Sequence, residues 1–247
     1  EGLTRLHELV ERVAGGARPD GIGAAIGGPL DWRAGVVSPL HQPAWRNVPL
    51  REIMEARHGC PFHVDVDTNV AAVGEHRHFG GGARRFLYLT LSTGMGGGFL
   101  VDGRIYRGAG GAHPEVGHQA VPFRCRHPER VHCECGRPDC LEALVSGNAI
   151  RRIYGMAAEE LDEAAWDEVS WNLGQGLRNL AAIYAPEVIV LGGGIAHGRG
   201  ERLLGPARRV MQQHLALVPA SEVRLSGHGY ETALQGALVI AREGLGQ

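Results

Sequence analysis

Apolar residues at the start of the chain fall three and four apart: Leu3, Leu6, Leu9, Val10 and Val13. That spacing lays one hydrophobic stripe along a helix, expected over 3–13. Gly15–Asp20 breaks the pattern, and GIGAAIGG (21–28) reads as a short buried strand running into a glycine turn. PFHVDV (61–66) predicts a strand and TNVAAVGEHR (68–77) the helix after it. FLYLTLS (86–92), a glycine run and FLVDGRIY (99–106) predict strand, turn and strand, with Asp102-Gly103 as a further turn. Helical spacing returns from Trp166 through Val169, Leu173, Leu177 and Leu180 to Ile183, ending before Pro186. VIVLGGG (188–194) is a strand entering another glycine loop, followed by expected helices over 203–215 and 231–242. Strands alternating with helices define an α/β chain. There is no fixed-period repeat and no low-complexity linker.

The length of 247 residues allows one large domain or two small ones. Hydrophobic residues make up 44% and charged ones 21%, the balance of an ordinary globular protein. A net charge of -2 offers no broad electrostatic footprint for nucleic acid or an acidic membrane. No apolar run approaches a membrane span, and no basic-then-apolar leader opens the chain. Glu1 already lies in helical pattern without an initiator Met, so an upstream segment is expected.

All 25 residues of the Lys+Arg total are arginine. This excludes a Schiff-base lysine, a lysine nucleophile and the Walker-type phosphate loop, whose lysine reaches the phosphates. Glycine, at 38 residues, is about twice its usual share. Much of it gathers at 27–28, 94–98 and 192–194, where turns are expected. Five cysteines include three within eight residues, Cys133, Cys135 and Cys140. Such clustering favours metal over disulfide, whereas the separate Cys60 reads as a buried core thiol. His7, His76 and His214 sit among polar residues and are expected at the surface.

Three segments can carry chemistry. In STGMGGG (92–98), Gly94 and Gly96 fit a dinucleotide fingerprint, but Phe99 takes the third glycine's place and a strand follows. A glycine-rich hairpin fits better, either a plain turn or one whose amides and Thr93 hydroxyl meet phosphate oxygens. In VDVDTN (64–69), Asp67 stands where a strand ends and a helix begins. It is either an N-cap or a carboxylate that takes a proton from a substrate hydroxyl. The stretch 113–142 holds HPEVGH and CECGRPDCLE. Three thiolates there, with His118, offer a tetrahedral zinc site; Cys125, His127 and His132 are rival ligands.

Taken in order, these segments resemble the ROK family (repressor, open reading frame, kinase) of sugar kinases and sugar-responsive repressors. The likeness runs through GIG…GGPLD (21–31), Trp45 in its proline-flanked loop, DTNVAAVGE (67–75) and STGMGGG (92–98). It continues through HPEVGH (113–118), CECGRPDCLEALVSG (133–147) and PEVIVLGGG (186–194). The resemblance implies an actin/hexokinase-like (ribonuclease H-like) α/β fold of two lobes. The smaller would comprise 1–79 with 232–247, and the larger 80–231 with a zinc-binding loop. It implies an ATP-dependent, glucokinase-like hexose kinase of the cytoplasm, using Mg-ATP and forming a homodimer. Asp67 is then the general base, and Gly28, Asp67, Glu115, His118 and Glu142 contact the sugar. His118, Cys133, Cys135 and Cys140 hold structural zinc; Thr93, Gly94, Gly193 and Gly194 lie at the nucleotide. The alternative it implies is the sugar-sensing part of a repressor, with nucleic acid as a partner only through an upstream helix-turn-helix domain. Three departures stand out. The D-x-G-G-T phosphate motif is expected upstream of Glu1, Val66 occupies a place commonly held by a sugar-binding Asn, and Ser92 replaces a glycine.

Overall fold

The structure is a computed structural model that describes residues 1–213 and 215–245. His214 therefore lies outside the described residues, as do the last two positions of the segment assigned to the smaller lobe. Helix α1 (Gly2–Ala14) leads to strand β1 (Ile22–Ile26), which pairs in parallel with β5 (Phe62–Val66). Between them lie an antiparallel trio, β2 (Leu30–Asp31), β3 (Val36–Val37) and β4 (Val48–Pro49), and helix α2 (Leu50–His58). Helix α3 (Asp67–His78) follows β5 without a loop.

The larger sheet has the order β10-β9-β6-β7-β8. Its members are β6 (Arg85–Leu91), β7 (Met95–Val101), β8 (Arg104–Ile105), β9 (Val188–Gly192) and β10 (Glu222–Leu225). Strand β6 runs parallel to β9 and antiparallel to β7. Helices α4 (Glu142–Val145), α5 (Gly147–Tyr154) and α6 (Glu163–Tyr184) lie between β8 and β9. Helices α7 (Gly194–Arg199) and α8 (Glu201–Gln213) follow β9, and α9 (Thr232–Glu243) closes the described chain.

The period-two pleat of β6 explains how one strand serves two cores. Leu87, Leu89 and Leu91 enter a cluster with Leu173 and Leu203, whereas Phe86 and Tyr88 enter another with Val70 and Ile240. A third cluster joins Val37, Leu50, Met54, Phe62 and Val64 beneath α1. Cys60 is buried and free, as its isolation suggested. Helix α9 packs on β1 and α3. That crossing is close: a Cβ on Gly236 would collide with the Val70 carbonyl of α3.

One sequence expectation changes. The glycine run is strand, not turn: the hairpin turns at Ser92–Gly94, and residues 96–98 sit inside β7. The physical reason is packing, since a Cβ on Gly98 would strike the Thr68 carbonyl oxygen of α3. The helix expected over 203–215 forms as α8, and a short helix not foreseen from the sequence, α7, precedes it, the two separated by Gly200 at φ 57. The Asp102-Gly103 turn forms as expected, with φ of 51 and 75.

Candidate active site

The end of β5 and the start of α3 decide where the chemistry sits. Asp67 is the first residue of α3, and Val66 occupies the cap position. The N-cap reading of Asp67 is thereby corrected: its Oδ1 accepts only the adjacent Thr68 N–H, at 2.7 Å. Asp67 is exposed at a cleft, where the protein around it still removes part of the water from its carboxylate. That loss of water raises its pKa above the ordinary aspartate value, against the Thr68 N–H and nearby His113, which lower it.

Asp67 and Thr68 border two cavities. One, of about 460 Å³, is lined by Thr93, Asn148, Arg151, Gly193, Gly194 and Tyr230 as well. It lies over the β6–β7 turn and the loop after β9. Tyr88 also reaches it, and burial pushes its phenol up to about 12, keeping it a neutral hydrogen-bonding group. The other, of about 730 Å³, has Gly28, Trp32, Val66, Arg107, His113 and Glu115 on its walls. Arg107 stacks 3.8 Å above Trp32 and forms a buried ion pair with Asp65. Asp65 in turn accepts from Asn69 Nδ2 at 2.9 Å, so the start of α3 is fixed from beneath. Trp32 Nε1, Thr68 Oγ1 and Asn69 Oδ1 are buried without a partner, and all three residues border this cavity. Unpaired buried polar groups are costly, and a wall that concentrates them suits a hydroxyl-rich ligand.

A third cavity, of about 530 Å³, joins the β6–β7 turn to the cysteine knot, with Thr93, Gly94, Cys133 and Glu142 on its walls. Glu142 starts α4 and accepts the Met95 N–H at 2.8 Å, tying knot to turn. Gly94 permits this approach, since a Cβ there would lie 3.1 Å from Glu142 Oε2.

In the knot, one ligand atom each from His118, Cys133, Cys135 and Cys140 lies within 4.8 Å of all the others. His118 Nδ1 is 3.4 Å from Cys133 Sγ, and Cys135 and Cys140 sulfurs are 3.4 Å apart. The Arg137 backbone N–H and the neighbouring thiols lower Cys135 to about 7, near the thiolate form that binds metal. Three sulfurs and one imidazole nitrogen at this spacing fit tetrahedral zinc. The rivals Cys125, His127 and His132 lie outside the group; Cys125 accepts the His127 N–H instead, at 3.4 Å.

Of the residues singled out from sequence, Gly28, Asp67 and Glu115 share one cavity, Asp67, Thr93, Gly193 and Gly194 another, and Gly94 and Glu142 the third. His118 stands with the cysteines. Sequence reading passed over Thr68, Arg107, Arg151 and Tyr230. Only Thr68, beside Asp67, carried any local hint; the others come from segments far apart in the chain.

A family model described as the ROK family matches residues 1–244. A glucokinase of Halalkalibacterium halodurans is 30% identical over 255 residues, covering 89% of this chain and 76% of that one. The ROK hexokinase of Thermus thermophilus has a similar structure, with a TM-score of 0.77 and 36% identity. That likeness covers 95% of this chain and 82% of the other. A ROK glucokinase from Streptomyces griseus, solved with glucose and AMPPNP, gives a TM-score of 0.72 at 29% identity, over 96% and 87% of the two chains. The fold is thus the actin/hexokinase-like one that the motif order implied. With the match running over residues 1–244, through all three sheets, the chain belongs to the ROK family.

Proposed function

We propose that this protein is a hexose kinase that transfers the γ-phosphoryl group of ATP to the 6-hydroxyl of a hexose, as a glucokinase does. The observation that carries this reading is the position of Asp67, one carboxylate bordering both a cavity rich in unpaired polar groups and a cavity floored by glycine turns. In this reading the lobes are 1–79 with 232–247, and 80–231, and the cleft lies between them. The hexose occupies the side of Gly28, Val66 and Glu115, with Glu142 and His118 reaching it from the knot. Mg-ATP occupies the side of Thr93, Gly193 and Gly194, with Gly94 in the turn.

Asp67 takes the hydroxyl proton as that oxygen attacks the γ-phosphorus; the bond from phosphorus to the bridging oxygen breaks, and ADP leaves. Phosphoryl transfer asks mainly for positioning and charge stabilisation. Without lysine, the phosphates are met by backbone amides, the Thr93 hydroxyl, Arg151 and the nucleotide's magnesium. His118, Cys133, Cys135 and Cys140 would hold zinc, which fixes the loop carrying the sugar-facing side chains. With His118 Nδ1 turned to the thiols, Nε2 is left for a sugar hydroxyl.

The test is a coupled assay of the full-length protein with Mg-ATP and glucose, fructose, mannose or N-acetylated hexosamines. Turnover of a hexose supports the proposal; no turnover of any of them overturns it. Val66, buried where an Asn commonly contacts sugar, favours a second reading, sugar binding without turnover, as in the sugar-sensing part of a repressor. Sugar binding without turnover in that assay selects the second reading.

A further inference from the structure

Tyr230 is 82% exposed, yet it stands on the wall of the cavity that holds Thr93 and the glycine loop. Its seat is built from several directions. A Cβ on Gly194 would lie 3.8 Å from the ring carbon Cε1 and from the hydroxyl of Tyr230, so the ring rests beside bare backbone. The His197 ring is 5.9 Å away, tilted by 34°. That imidazole places its nitrogens 3.1 Å from the Gly193 carbonyl and 3.3 Å from the Ser226 carbonyl, spanning the two loops. From beneath, the fully buried Glu75 accepts the N–H groups of Gly227 and His228, at 3.0 and 3.2 Å, and the Ser226 hydroxyl. A well-anchored loop therefore presents a flat aromatic to a cleft whose nearby wall is Gly194 and Ile195.

Resting on the kinase reading above, we infer that Tyr230 is the platform on which the purine base of the nucleotide stacks. The phosphates belong near Asp67, Thr93 and Arg151. The base is the only flat, apolar-faced part of the nucleotide, and Tyr230 is the exposed aromatic on this wall. Stacking on an aromatic side chain is a common way to hold a nucleobase without reading hydrogen bonds.

Calorimetric titration of the full-length protein with Mg-ADP and with magnesium tripolyphosphate tests this. Tyr230→Ala is expected to weaken Mg-ADP binding about ten-fold, and Tyr230→Phe by less than about two-fold. Tripolyphosphate affinity and the melting temperature stay unchanged in both, and KM for ATP rises in Tyr230→Ala without change in KM for the hexose. Unchanged Mg-ADP affinity in Tyr230→Ala overturns the platform, as does an equal loss in Tyr230→Phe or a parallel loss of tripolyphosphate binding. A parent protein that binds Mg-ADP, loses it in Tyr230→Ala and phosphorylates no hexose supports the platform while overturning the kinase reading. A parent that binds no nucleotide overturns both.

Discussion

Asp67 shows how much one residue's position decides. As the first residue of α3 rather than its cap, it spends one oxygen on the Thr68 N–H and keeps the other for the cleft. Loss of water around it raises its pKa, and the base role proposed for it needs the ionised form, so kcat/KM is expected to fall as pH drops through a value above the ordinary aspartate one. The sign for stability is opposite. A carboxyl whose folded pKa is raised is disfavoured when charged, so its cost is present above that pKa and relieved as pH falls through it. Asp67→Asn is therefore expected to lose at least about a hundred-fold in kcat, while melting at neutral pH no lower than the parent. A pH–rate profile and thermal melts of both proteins check the pair of outcomes. Asp67 and the thiols were legible in the sequence because few residue types do their chemistry. Tyr230 was not, because an isolated tyrosine has no pattern until folding sets it beside Gly194.

At the scale of elements, α3 carries more than Asp67. Two turns beyond Asp67, Glu75 accepts from Ser226, Gly227, His228 and Thr232, and so ties the helix to the loop that precedes α9. Glu75→Ala leaves those buried donors unpaired and is expected to cost about 2–5 kcal/mol, read by urea unfolding. It is also expected to raise KM for ATP as that loop loosens. The crossing of α3 over β7 makes a second prediction. Gly98→Ala forces α3 outward and is expected to cost about 1–3 kcal/mol, with kcat falling as Asp67 moves; Ser92→Gly, in the turn, leaves stability within about 1 kcal/mol. Periodicity revealed the long helices, since α6 (Glu163–Tyr184) buries one apolar face along its length. It missed α2, whose mean pattern is polar around Leu50 and Met54, and β10, which has only four residues.

The whole molecule depends on distant segments meeting. His118 and the three cysteines come from a stretch with little regular structure, where a metal held by them would take the place of the hydrophobic packing that helices provide elsewhere. About one zinc per chain is expected by elemental analysis. Cys135→Ser is expected to lose it and to lower the melting temperature, and chelation of the parent to do the same. Preparations that carry no zinc would remove that claim.

The sequence by itself determined the α/β alternation, the seam at Asp67, the clustering of three cysteines and the order of motifs that marks the family. These are local properties: periodicity along one segment, or reactive residue types close in the chain. Only the tertiary structure decided that the glycines of β7 serve packing rather than turning, that Asp67 faces two cavities, and that Glu75 pins the loop presenting Tyr230. Each of these is a contact between segments separated in the chain, and hydrophobic burial, not local propensity, brings such segments together.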